Sequence, residues 1–163
     1  MISERRYYDD MAEAPAAAGA IIDVRLVDHP VRPIDFEPFP QPAGGECIFL
    51  GRTREERHPR HGPLLRLSYQ AYHPMAEAVL RRLAQQSIED YGCLAVRIHH
   101  AIGMVPPGEA SVMIQVVCAH RSAAFVACQF LIDRLKAEAP IWKREEWADG
   151  STWSQGQPVQ IAE

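Results

Sequence analysis

The chain has no run of about 18 apolar residues, so no transmembrane helix is expected in its 163 residues. Its first residues lack a basic start followed by an apolar core, so no secretory signal is expected and a cytoplasmic location follows. Positive charge is not in excess. The formal net charge is −4, which argues against a nucleic-acid binder working by bulk charge. The four cysteines, Cys47, Cys93, Cys118 and Cys128, include no Cys-x-x-Cys. Each lies in or beside an apolar segment, as reduced, buried cysteines do, and the paired spacing of a four-cysteine zinc site is missing. There is no internal repeat and no second domain. What remains is a chain 47% hydrophobic and 23% charged, enough for one domain with a real core.

Thirteen prolines punctuate the chain, six of them before Gly44. Residues 1–20 read as a flexible lead, and 21–163 as a single domain. Residues 21–28 alternate as a strand. Residues 29–45 are too proline-rich for a regular element and form a connection with a short turn near Ile34–Phe36. Strands follow at 46–51 and, beyond a polar loop, at 64–72, where Leu65, Leu67, Tyr69 and Ala71 share one face. Pro74 opens a helix that Gly92 closes, with Met75, Val79, Leu80, Leu83 and Ile88 at helical spacing. Residues 94–103 and 110–119 are strands, the second apolar enough to be central. A second helix covers 122–139, with Ser122 as N-cap and Phe125, Cys128, Leu131, Ile132 and Leu135 as its buried stripe. Pro140 ends it. Residues 141–148 make a strand, Asp149–Gly150 a tight turn, and 151–155 a return strand. The class is α+β: a mostly antiparallel sheet with two main helices packed on it, in the order ββ-βα-ββ-α-ββ.

Three stretches carry candidate chemistry. In "CAHRSAAF", His120 and Arg121 sit between a central strand and a helix N-terminus. A cation there opposes the helix dipole, but backbone N–H groups with Arg and His at one point suit an anion. The plainer reading is an ion-paired Arg121 and a boundary His120. In "FLGRTREERHPRHG", a buried strand delivers Arg52 and Arg54 into a basic loop suited to phosphate, or into a solvated loop with Glu55 and Glu56 as local partners. His58 and His61 have no ligand spacing that supports zinc. In "DRLKAEAPIWKREEW", Lys136 and Lys143 flank the most apolar point of the segment. Lys136 suits a helix C-terminus and Lys143 suits a snorkelling strand lysine. A lysine against an apolar wall also serves as acid, base or nucleophile. Residues 122 to 136 span roughly 21 Å of helix. Arg121 and Lys136 of one chain therefore cannot grip one small anion, and a site using both lies between two chains of a homodimer.

The runs "FLGRTR", "LSYQAYHPMAEAVL", "IHHAIGMVPPGEASV", "CAHRSAAFVACQFLIDRLKAEAPIWKRE" and "DGSTW" occur in this order from about Gly45 to Trp153. In this the chain resembles the large, catalytic subunit of molybdopterin synthase. The resemblance implies a hammerhead-like α+β fold. It implies insertion of two dithiolene sulfurs into a cyclic pyranopterin monophosphate, a step of molybdenum cofactor biosynthesis. The sulfur would come from the thiocarboxylated C-terminal Gly-Gly of a small ubiquitin-like carrier, with no metal or bound cofactor. It also implies a central dimer of large subunits with a carrier at each end. This chain ends "PVQIAE", so the carrier is expected to be a separate protein.

By motif, Lys136 and Lys143 match the family's essential lysines. Arg52, Thr53 and Arg54, with Phe49 just before them, match the substrate-contact segment. His120 and Arg121 match the phosphate-side pair given by the neighbouring subunit, and Arg144 and Glu145 complete the Lys-Arg-Glu run. Ala101 stands where the family has Arg, and Gln70 where it often has Glu; both bear on partner fit or local stability. The rival reading is a non-catalytic phosphate- or RNA-binding module, or a scaffold that has lost catalysis.

Overall fold

The computed structural model describes residues 19–154. Most of the expected lead, and the tail from 155 on, lie outside the described residues. Among the described residues nine strands and two helices follow in the order β1 (Ile21–Val27), β2 (Gly45–Arg52), β3 (Arg57–His58), β4 (Gly62–Ala71), α1 (His73–Tyr91), β5 (Cys93–Ala101), β6 (Gly103–Val105), β7 (Ala110–Cys118), α2 (Arg121–Glu138), β8 (Ile141–Trp147) and β9 (Gly150–Trp153). The class is α+β, as expected. One sheet runs β1-β5-β7-β2; the other runs β3-β4-β8-β9, with β6 also on β4. Among the described residues only the β1–β5 pairing is parallel.

β7 is buried along its whole length. Val112, Ile114, Val116 and Cys118 face the helices, where Leu80, Leu83 and Ile88 of α1 meet Leu131 and Leu135 of α2. Its other face is covered by the proline-rich connection, through Val31 on Met113 and Phe36 on Val117. Val31 N–H donates to Ala110 O at 2.9 Å, tying that connection to the sheet. Its bends fall at Glu37–Pro38 and Gln41–Pro42 rather than at Ile34–Phe36. Beneath it, Arg97 donates to Asp23 at 2.8 Å and to Gln115 at 2.9 Å, with its guanidinium 4.0 Å over the Phe36 ring. A buried charge is thus paired and bonded, as burial demands. Burial would raise Asp23, but Arg97, Arg25 and His99 outweigh it and hold its carboxyl below the usual value.

Several local expectations need correction. The N-cap of α2 falls two residues earlier than Ser122. His120 is its N-cap, in extended conformation and without a side-chain cap, and Ala124 N–H already bonds His120 O. Phe125 is not in the buried stripe; it is 61% exposed, and Ala124 and Ala127 take the inward positions. Alternation in β4 breaks at a register shift between Leu64 and Arg66, so Leu65 bulges outward and Leu64 packs on Trp147 instead. The β8–β9 turn is Ala148–Asp149, and Gly150 opens β9 at positive φ. Among the described residues no helix is long and apolar enough to cross a membrane.

Candidate active site

The β2–β7 ladder sets the distances. Gly45 lies opposite Cys118 at one end and Arg52 opposite Ala110 at the other. Seven strand rises separate these ends by roughly 23 Å. β7 exits beside Gly45, and α2 then doubles back over β2 and β7 as one uninterrupted helix. Its first residues therefore stand at the Gly45 end and its last turn, with Lys136, at the Arg52 end.

At the Arg52 end the loop is zipped down. Arg52 donates to Gly108 O at 2.9 Å, Thr53 N–H to Glu109 O at 2.9 Å, and Gly108 N–H to Thr53 O at 2.8 Å. Thr53 is buried, and its hydroxyl has no partner among the described residues. Arg54 stays in solvent, 2.8 Å from Glu56. Such an exposed pair is worth under about 1 kcal/mol, so Arg54 is released at little cost to a better anion.

Lys143 approaches this end through a chain of contacts. On β8 it lies across from Tyr69. The Tyr69 hydroxyl donates to Ser111 Oγ at 3.0 Å, and Ser111 donates to Gly51 O at 3.3 Å, one residue before Arg52. Burial pushes the Tyr69 phenol up, so it remains a donor at neutral pH. The ammonium of Lys143 stands 3.6 Å from Glu145, two residues on and on the same strand face. Lys136 is exposed, with no carboxylate within 4.0 Å among the described residues. Its neighbours Arg82 and Arg134 share Glu138 instead.

One chain thus gathers Lys136, Lys143, Glu145, Arg52, Thr53 and Arg54 towards one end. It does not bring His120 and Arg121 to them; both are exposed at the far end. Arg144 is on the opposite face of β8, bonded to Glu146 at 2.9 Å and with its guanidinium 5.9 Å from the Trp153 ring centre. Phe49 is half-buried, packed against the core beneath the helices. Ala101 is buried and Gln70 exposed beside Trp142. A depression of about 390 Å³ between Leu26, Val27, Asp28, His29, His73 and Ile102 contains none of the candidate residues. Sequence reasoning missed Thr152 and Trp147, which contact Glu145 directly and through a hydroxyl; nothing in their local spacing marks them.

Residues 26–138 match the family model described as MoaE protein. The chain belongs to the MoaE family. A molybdopterin synthase catalytic subunit from a Nostoc species is 42% identical over 68% of this chain and 67% of its own. One from Arabidopsis thaliana is 38% identical over 77% of this chain and 62% of its own length. The crystal structure of molybdopterin synthase from Staphylococcus aureus superposes with a TM-score of 0.68 at 32% identity, over 79% of this chain and 94% of that one. These MoaE relatives do not favour a non-catalytic phosphate- or RNA-binding module.

Proposed function

We propose that this chain inserts the dithiolene sulfurs of molybdopterin into cyclic pyranopterin monophosphate, as the catalytic subunit partnering a small ubiquitin-like sulfur carrier. The observation that carries this reading is the convergence of Lys136 and Lys143 on the Arg52–Arg54 end. They are the only two lysines in a chain with fifteen arginines. Both reactants are anions: a phosphate ester and the carrier's C-terminal thiocarboxylate. The ammonium groups draw in the thiocarboxylate and stabilise charge as its sulfur attacks a side-chain carbon of the pterin. One of them protonates the departing oxygen. The carrier is then joined to product as a thioester, and water cleaves that link to free a carboxylate and leave the thiolate on the pterin. A second carrier repeats the cycle.

Phosphate is held by Arg54 with His120 and Arg121. Because the two groups stand at opposite ends of one chain, His120 and Arg121 come from a second copy. The working assembly is a homodimer with two composite sites, each visited by a carrier. Relatives named as catalytic subunits support this reading, as does the motif match at the two lysines.

The test is product formation from purified chain, cyclic pterin precursor and thiocarboxylated carrier. Lys136→Ala and Lys143→Ala should each lower turnover by at least about 100-fold without unfolding the chain. Near-normal turnover in both variants would sink the proposal.

A further inference from the structure

Thr152 lies directly opposite Glu145 in the β8–β9 ladder. Its hydroxyl has two bonded neighbours, and chemistry fixes the direction of both. Trp147 Nε1 can only donate, so at 2.8 Å Thr152 Oγ1 must accept from it. The single Thr152 proton is then directed to Glu145 Oε2 at 3.0 Å. Glu145 accepts there, which leaves Oε1 as the oxygen facing Lys143 at 3.6 Å. Trp147 is itself immobilised: it is 6% exposed, packed with Leu64 and Leu67, and has the His58 ring 5.3 Å away. The series runs from a rigid indole, through one hydroxyl, to one carboxylate and then to one ammonium.

We propose that Thr152 is a positioning residue for Lys143, acting through Glu145 and anchored by Trp147. A lone lysine on a half-exposed strand samples many rotamers. A carboxylate clamped from behind gives it one preferred direction. Lys143 is thereby a fixed cation that binds an anion or delivers a proton. Lys136 has no such partner among the described residues. The two lysines are therefore not equivalent, and the difference is built by β9. Glu145 is committed to Thr152 and Lys143, so it orients the lysine rather than the substrate. This inference rests on the sulfur-insertion reading for its kinetic consequence, but not for its structural one.

The experiment compares Thr152→Val, which keeps shape and strand preference, with Thr152→Ser, which keeps the hydroxyl. Both are assayed at a temperature where circular dichroism shows them folded. Thr152→Val should lose about tenfold or more in kcat. Thr152→Ser should stay within about twofold of the parent. On a Lys143→Ala background Thr152→Val should add nothing, because the two act through one group.

A second readout needs no activity. With two lysines in the chain, limited acetylation read by mass spectrometry reports each amine by itself. Held beside Glu145, Lys143 should react more slowly than the unpartnered Lys136, and several-fold faster in Thr152→Val, where the carboxylate is no longer held from behind, than in the parent. Unchanged kcat and an unchanged Lys143 acetylation rate in Thr152→Val would overturn the proposal, as would a full additive loss on the Lys143→Ala background. If the parent chain makes no product, the sulfur-insertion reading fails alone, and the acetylation rates still decide the role of Thr152.

Discussion

His99 and His100 are neighbours on β5 that point to opposite faces of one sheet. His99 lies 3.2 Å from Asp23, and His100 meets the edge of Tyr69 at 5.1 Å between ring centres. Burial holds both imidazoles below their ordinary value of 6.5, outweighing the pull of Asp23 on His99 and of Ala101 O on His100. Each is neutral in the folded chain and free to take a proton in the unfolded one. Below pH 6.5 the unfolded state therefore binds more protons, and stability falls as pH falls from 6.5 towards the depressed folded values. Asp23 acts in the same direction at lower pH, its contribution lost as pH drops from 3.8 through its folded value. Thermal melts should show a lower Tm at about pH 5 than at about pH 8, with a flatter profile in His100→Gln. A Tm that rises on acidification would contradict this account. At this scale the sequence was readable where chemistry is unusual for its surroundings. Ammonium groups on both sides of Pro140-Ile141-Trp142 draw notice, and so does a loop with Arg52 and Arg54. Thr152 and Trp147 do not, because their importance comes from which residue lies across the ladder, and register is not written in local spacing.

Elements were legible where a stop or start signal is steric. Pro74 in the first turn and Gly92 in the left-handed conformation bound α1, and Pro140 forces Ala139 out of helix to end α2. Legibility failed where backbone position depends on a neighbour. β3 and β6 are two and three residues long, too short for a period to show, and exist by pairing with β4. The Leu65 bulge is set by β8, and the start of α2 by the chain that crosses it. That crossing is close. A Cβ on Gly44 would lie 2.3 Å from Ala119 O, and one on Gly45 would lie 2.8 Å from the Arg121 backbone. Gly44→Ala should therefore cost about 2 kcal/mol in urea denaturation, because backbone cannot give way as a side chain can. If His120 and Arg121 hold the phosphate as proposed, it should also weaken phosphate binding by displacing them. A variant as stable as the parent would show that the β2 start does not bear on α2.

For the whole molecule, the length of the β2–β7 ladder carries the functional argument. Strand and helix rise alone separate the His120–Arg121 end from the lysine end by more than any small phosphate ester spans. The helix half of that separation was already calculable from the sequence, since only continuity of the segment between Ser122 and Lys136 had to be assumed. The antiparallel return of α2 over β2 and β7, which puts Lys136 at the Arg52 end, needed the fold. A composite site has a consequence that a site within one chain does not. Lys136→Ala and Arg121→Ala should each be inactive alone, yet a mixed dimer restores one intact site from the unmutated halves of its two chains. The decisive measurement is the sulfur-insertion activity of an equimolar, subunit-exchanged mixture of the two variants. Random pairing puts the result at about one quarter of parental turnover. A mixture as inactive as its components would contradict a site shared between two copies of the chain.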